Sequence, residues 1–425
     1  MAIEPQISTL SNGLRVVTTE VPTAQSVSVN LFVGIGSRGE TRRTNGVSHY
    51  MEHMLFKGTT RRPDAIIIAE AIEGAGGVLN AYTSKELTCY WNQVPFDKLE
   101  RAMDVLADMY QDSVLSAEEI DRERTVVQQE IRRAFDQPGA WASELLSRAT
   151  FGDQPIGWPI AGTLETVEEM RRDDFVEHVA TYYVPSNTVL SVAGNTTHGD
   201  VLALAERLFG DVPDRPIPAI LSAGQQFAEQ RIVVEKREIA QCNMGLALYA
   251  LPRKDPDRYS LQILNTLLGR GMSSRLFKEV RERRGLAYSV GSGVSRYNDT
   301  GTMSVSAGVT LENLEEATKV IRDELFRLRD EPVGDEEMEK ARDFSTGNFR
   351  LGLESTMALA QRAGESLLST GEIEPVETVV ASMRAVTAAD VQRVAQRLFR
   401  PGGFSMAVVG PGGDPARLQS ILDAA

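Results

Sequence analysis

The sequence predicts an α+β fold of two similar halves, each a mostly antiparallel sheet packed with helices. Three observations predict it. The chain has 425 residues, room for about two or three domains at a typical size of roughly 150. Two segments share one spacing: Asp174 leads to Pro185 and Gly194, and Asp390 leads to Pro401 and Gly410, by 11 and then 9 residues in both. They lie 216 residues apart, and both read as helix, Pro-containing turn and strand ending in Gly. Between them, 210–226 (GDVPDRPIPAILSAGQQ) is rich in Pro and Gly and lacks helical periodicity, as a linker does. The expected division is a first half at 1–212, a linker at 213–226 and a second half at 227–425.

In chain order, STL, an Asn12-Gly13 turn and LRVVTTEV read as a β-hairpin. SVSVNLFVG alternates and is the next strand. A glycine-rich stretch precedes a helix from about Gly46 to Phe56, and 64–75 reads as a helix closed by Gly76-Gly77. GVLNAYTSKE and LTCYWNQVP pair as strands. Helices follow at about 96–113, 117–135 and 165–183, then the buried strand NTVLSVAGN and a helix at 198–209. The second half repeats these kinds of element: strands RIVVEK and MGLALYAL, helices at 257–269 and 273–283, strands through 288–309, further helices, and a last strand, SMAVVG.

Lys plus Arg is 45 and Asp plus Glu is 59, a net charge of −14, which disfavours nucleic acid or an anionic membrane as partner and suits a basic peptide. No apolar run reaches the roughly 18 to 20 residues needed to span a bilayer. The start lacks the basic and apolar regions of a leader, so a cytoplasmic location is expected. Cys89 and Cys242 have no CxxC neighbours and read as buried free thiols. His178 and His198 read as ordinary surface residues. Gly34 to Gly39 (GIGSRG) fits the dinucleotide regex, but ETRRTNG follows it instead of an amphipathic helix, so nucleotide binding is set aside.

The chemistry concentrates at His49-Tyr50-Met51-Glu52-His53, which holds two of only four histidines. On a helix, 49, 52 and 53 fall at roughly 0°, 300° and 40°, one arc of about 100°. Histidines at i and i+4 give the two-nitrogen bite that tetrahedral zinc accepts, and the carboxylate between them can hold a water there. H-x-x-E-H is the inversion of the zincin H-E-x-x-H. A third ligand is needed, and DRERTVVQQEIRR offers Glu123 and Glu130, seven apart on one helix face. Val126, Val127 and Ile131 would form the stripe fixing that helix to the core. One glutamate can bind metal while the other orients a ligand histidine; spacing alone leaves open which.

HYMEHMLFKGT followed by VVQQEI resembles the pitrilysin, or insulinase-like, zinc metallopeptidases, whose pattern is H-x-x-E-H, 76 residues, then E; residues 54–129 are those 76. VGIGSRGE (33–40), GGVLNAY (76–82) and RERRGLAY (281–288) match as well, so the resemblance spans both halves and is closest to the processing-peptidase subgroup. It implies zinc, one per chain, held by His49, His53 and Glu130, with Glu123 behind a ligand histidine and Glu52 as general base. It implies that Asn80 and Ala81 bind peptide as an added strand, and that Arg281 and Tyr288 support the substrate carbonyl and oxyanion. The expected activity is endopeptidase cleavage of unfolded or presequence-like peptides, within halves closing as a clam shell, in a homodimer. A non-catalytic core or partner subunit of the same fold is the other reading.

Overall fold

The computed structural model describes residues 4–224 and 228–424; the last two residues of the expected linker, 225 and 226, lie outside them. Along the chain run β1 Gln6–Thr9, β2 Arg15–Glu20, β3 Ser26–Val33, α1 Val47–Met54, α2 Ala65–Glu73, β4 Val78–Thr83, β5 Thr88–Pro95, α3 Leu99–Asp112, α4 Ala117–Asp136, α5 Pro138–Phe151, α6 Leu164–Glu169, α7 Arg172–Tyr182, β6 Thr188–Gly194 and α8 His198–Phe209. There follow β7 Ile232–Lys236, β8 Cys242–Ala250, α9 Arg258–Gly269, a π-helical turn Phe277–Arg283, β9 Ala287–Arg296, β10 Gly301–Val309, α10 Leu314–Asp330, α11 Asp335–Leu351, α12 Thr356–Thr370, α13 Val376–Ala385, α14 Ala388–Leu398, β11 Phe404–Gly410 and α15 Pro415–Asp423. Among the described residues, no helix is long and apolar enough to cross a membrane.

Two sheets result, in the orders β1-β2-β6-β3-β5-β4 and β7-β11-β8-β10-β9. Apart from β1, the second order repeats the first. Each sheet has one parallel pair, β2 with β6 and β7 with β11, and is otherwise antiparallel. This bears out the α+β reading with two similar sheets. The shared spacing has a local cause. The Asp174 carboxylate accepts from the Arg171 backbone N–H and the Asp390 carboxylate from that of Thr387, capping α7 and α14 alike, and the strands that follow end at Gly194 and Gly410.

The compact units are not contiguous halves. One comprises residues up to Ile131, Pro159–Leu221 and Leu351–Pro375; the other comprises Arg132–Trp158, Ser222–Arg350 and the residues from Val376 onward. Against the division at 1–212 and 227–425, segments 132–158 and 351–375 have changed places. In the first unit, α12 covers one sheet face: Ala363 and Leu367 pack with Phe32, Cys89 and Val189, and Ser191 donates to the Ala360 carbonyl at 2.7 Å. Gly364 permits this approach, since a Cβ there would stand 2.2 Å from the Phe32 ring. The opposite face carries the main core, where Val29, Leu31 and Tyr90 meet Met51, Met54, Met103 and Phe175. In the second unit α5 plays the part of α12: Leu146 packs on Ala247 and Ala407, and Ser405 donates to the Ala149 carbonyl at 3.1 Å.

Four local expectations change. The helix expected over 165–183 breaks between α6 and α7, because Met170 is fully buried in extended conformation and Arg171 starts a new cap. The helix expected at 273–283 contains the π-helical turn. Val126 is 39% exposed, since it points about 100° away from its fully buried neighbour Val127. His178 is buried, not superficial: its ring lies 5.2 Å from that of Tyr182 and 5.9 Å from that of Tyr183, and burial pushes its pKa down to about 3. His198 is half-buried, bonded to Ser8 and Thr18 at 2.9 Å each. Cys89 and Cys242 are free and buried, as expected.

Candidate metal centre

Helix α1 has eight residues, too few to persist alone, so tertiary contacts must hold it. Val47, Tyr50, Met51 and Met54 are buried on one side. The Tyr50 hydroxyl donates to the Ile120 carbonyl at the start of α4, and its ring meets Phe175 edge-on at 4.8 Å. The helix begins at Gly46, in the left-handed region at φ 101°, where a Cβ would stand 2.6 Å from the Ala161 carbonyl oxygen. Gly46 offers no side-chain cap. Glu40 supplies it from outside the helix, accepting from the N–H groups of Gly46 at 2.7 Å and Ser48 at 2.8 Å and from Asn45 Nδ2 at 2.9 Å. Burial pushes the Glu40 carboxyl up to about 7 despite these bonds.

With one side buried, α1 turns His49, Glu52 and His53 to the other. Helix α4 lies across from them, seated by buried Ile120 and Val127 and by Ile131. Arg124 ties it down through the carbonyls of Val167, Glu168 and Met170. The two helices bring three ligand atoms together. Glu130 Oε2 lies 3.6 Å from His49 Nε2 and 3.4 Å from His53 Nε2, and all three atoms fall within 4.8 Å of one another. Zinc bonds of about 2.0–2.2 Å at tetrahedral angles put donor atoms roughly 3.3–3.5 Å apart. The donor set, two imidazole nitrogens and a carboxylate oxygen, fits zinc in kind, and the two separations from Glu130 are close to that spacing.

The surrounding groups separate the two histidines. Glu123 Oε1 meets His53 Nδ1 at 2.8 Å, while His49 Nδ1 is buried with no hydrogen-bond partner among the described residues. Burial, and next the neighbouring His53, push the His49 pKa down to about 4. Burial opposes charge on His53 as well, but hydrogen bonds with Glu123 and Glu130 outweigh it and raise that ring to about 9. Glu130 is held below the usual carboxylate range, chiefly by its bond with His53. Burial raises the Glu52 carboxyl, and Thr83 Oγ1, donating to Glu52 Oε2 at 2.6 Å, works against that rise.

Glu52, Glu123 and Glu130 thus gather about the two histidines. Asn80 and Ala81 lie on β4, the edge strand of the sheet and the strand that carries Thr83; Asn80 Oδ1 accepts from the Ala81 N–H at 2.8 Å. Arg281 and Tyr288 belong to the other unit. There the Arg281 guanidinium lies 4.8 Å from the Phe277 ring and 5.4 Å from the Tyr288 ring, and Tyr288 is 78% exposed. Three neighbours of the centre went unread in the sequence: Glu40, Lys57 and Thr83. Lys57 stands at i+4 from His53, a spacing that could have flagged it. Glu40 and Thr83 arrive through tertiary folding and leave no such signal.

Known proteins resemble this chain along most of its length. The family model described as Insulinase (Peptidase family M16) matches residues 15–164, and Peptidase M16 inactive domain matches 169–344. An uncharacterized zinc protease of Streptomyces coelicolor is 38% identical over 412 residues, covering 95% of this chain and 89% of the relative. The uncharacterized zinc protease YmxG of Bacillus subtilis is 35% identical, covering 96% and 98%. Among solved structures, a protease from Helicobacter pylori shares the fold with a TM-score of 0.89 at 22% identity, covering 97% of this chain and 100% of that one. A chain of complex III2 from Candida albicans does so at 0.85 and 19%, covering 98% and 99%. The chain belongs to the insulinase family of peptidases, M16.

Proposed function

We propose that this protein is a zinc-dependent endopeptidase that cuts unfolded or presequence-like peptides, binding one zinc per chain. The observation that carries the reading is the meeting of His49, His53 and Glu130 at one point with Glu52 on the same helix face. Zinc bound there would polarise the scissile carbonyl and lower the pKa of an attacking water. Glu52 takes the proton of that water and delivers it to the departing amine. Burial raises the proton affinity of Glu52, which suits it to the second transfer, and Thr83 steadies one oxygen so that the other faces the water. The free edge of β4 at Asn80 and Ala81 pairs with the peptide backbone, a contact that tolerates many sequences. On the resemblance alone, Arg281 holds a substrate carbonyl, Tyr288 donates to the oxyanion, and the halves enclose the substrate.

The test is cleavage of a quenched unfolded peptide before and after chelation, with zinc restored afterwards, beside Glu52→Gln. Loss on chelation, recovery with zinc and a variant slower by about a hundred- to ten-thousandfold are expected. Cleavage that persists without metal or in the variant defeats the proposal. The second reading, a non-catalytic subunit, is favoured by the likeness to a chain of complex III2 and by the inactive-domain match. It predicts no cleavage even with zinc bound. The net charge of −14 suits basic peptides. A homodimer in the cytoplasm completes the proposal; sedimentation of the full chain and cell fractionation check those two points.

A further inference from the structure

We propose that Lys57 is a positioning residue of the metal centre: it acts through Glu123 to fix His53 with Nδ1–H bonded and Nε2 free for metal. The inference rests on the zinc reading above. Three contacts run in series. Lys57 Nζ meets Glu123 Oε2 at 2.6 Å, Glu123 Oε1 meets His53 Nδ1 at 2.8 Å, and His53 Nε2 faces Glu130 Oε2 at 3.4 Å. Each oxygen of Glu123 therefore has one partner, and the carboxylate cannot rotate without breaking both contacts.

The chemistry needs both ends of Glu123. A neutral imidazole has one N–H; a carboxylate on Nδ1 draws the hydrogen there and leaves the Nε2 lone pair for a cation. Glu123 has a side chain only 8% exposed, so its negative charge needs a nearby cation to stay in place. Lys57 is that cation, one helical turn past His53, where the Lys57 N–H donates to the Met54 carbonyl. His49 has no such support among the described residues, its Nδ1 being buried without a hydrogen-bond partner there. The centre is thus lopsided, and the orientation of one ligand depends on a lysine that acts on it through Glu123.

The experiment measures the dissociation constants of zinc and cobalt for the full-length chain by competition with a chelating dye. It compares wild type, Lys57→Met, Lys57→Gln, Lys57→Arg and Glu123→Gln, with Lys57→Met also made in the Glu123→Gln background. Loss of such an outer support weakens metal binding by about 10–100-fold. Lys57→Met and Lys57→Gln are expected to fall in that range and to alter the cobalt absorption bands, with Lys57→Arg restoring affinity and spectrum. Lys57→Met should add nothing once Glu123 is Gln, because the lysine acts through that carboxylate. Unchanged affinity in both neutral variants, or an equal loss with and without Glu123, overturns the proposal while leaving the zinc centre standing. A wild-type chain that binds neither metal overturns both.

Discussion

Acidity offers the sharpest probe of the centre, because its two histidines differ so strongly. In the metal-free protein His49 is neutral above about pH 4 and His53 keeps its proton up to about pH 9. A metal needs both nitrogens unprotonated, so between pH 5 and 6.5 binding displaces one proton, the one on His53. Affinity should then rise about tenfold per pH unit, and at pH 7 that proton should still cost about 2.7 kcal/mol, roughly a hundredfold, relative to the fully deprotonated ring. Two ordinary imidazoles titrating near 6.5 would both be charged at pH 5, and affinity would climb about sixtyfold by pH 6. The assay is zinc affinity against a calibrated chelating dye from pH 5 to 6.5. Calorimetry at pH 5.5 in two buffers of different ionisation enthalpy then counts the protons released. A single proton and a slope of one are expected. Two protons would show that burial does not keep His49 neutral, and an affinity indifferent to pH would show that Glu123 and Glu130 do not hold His53 charged.

Gly364→Ala should lower the stability of the first unit by about 1–3 kcal/mol in denaturant unfolding, since its methyl group meets the Phe32 ring at 2.2 Å; an unchanged midpoint would mean that α12 does not press on β3. His178 has its folded pKa depressed to about 3, so its contribution is present above its unfolded value near 6.5 and is lost as pH falls toward 3. His178→Phe should remove about 2 kcal/mol of the stability lost between pH 7 and 5, checked by unfolding at both pH values. Thr83→Val takes away the bond that restrains the Glu52 proton affinity, so the acidic limb of kcat/KM should move to higher pH. A limb that stays put would remove Thr83 from the site.

The legible part of the centre is the part governed by local period. His49, Glu52 and His53 share a face because any helix puts them there, and a His-poor sequence made the cluster conspicuous. The third ligand was a harder matter. Glu123 and Glu130 nearly eclipse each other on α4, so spacing cannot rank them. The fold ranks them by height along the helix: Glu130 reaches both Nε2 atoms, and Glu123 reaches His53 Nδ1 and Lys57. Val126 shows the cost of reading a stripe too widely, since a residue next to a buried valine points away from the core. Glu40 and Thr83 join α1 from a loop and from β4, and contacts of that kind leave no trace in periodicity.

The exchange of 132–158 and 351–375 was illegible for a related reason. The inward face of α12 reads Ala360, Ala363, Gly364 and Leu367, and that of α5 reads Ala142, Leu146 and Ala149. Both are small, apolar and set at helical spacing, so either pattern says only that some flat sheet will cover it. The choice of sheet is made in fine detail. Gly364 admits Phe32, Gly245 makes room for Leu146, and a single serine on the strand beneath, Ser191 or Ser405, bonds a helix carbonyl. Such contacts become visible only once strand register is known. Cutting the chain in the linker would therefore leave each sheet short of the helix that seals one face, exposing Phe32 and Val189 in one unit and Ala247 and Ala407 in the other. The sequence repeats as two halves, but each sheet takes a covering helix from the other half of the chain.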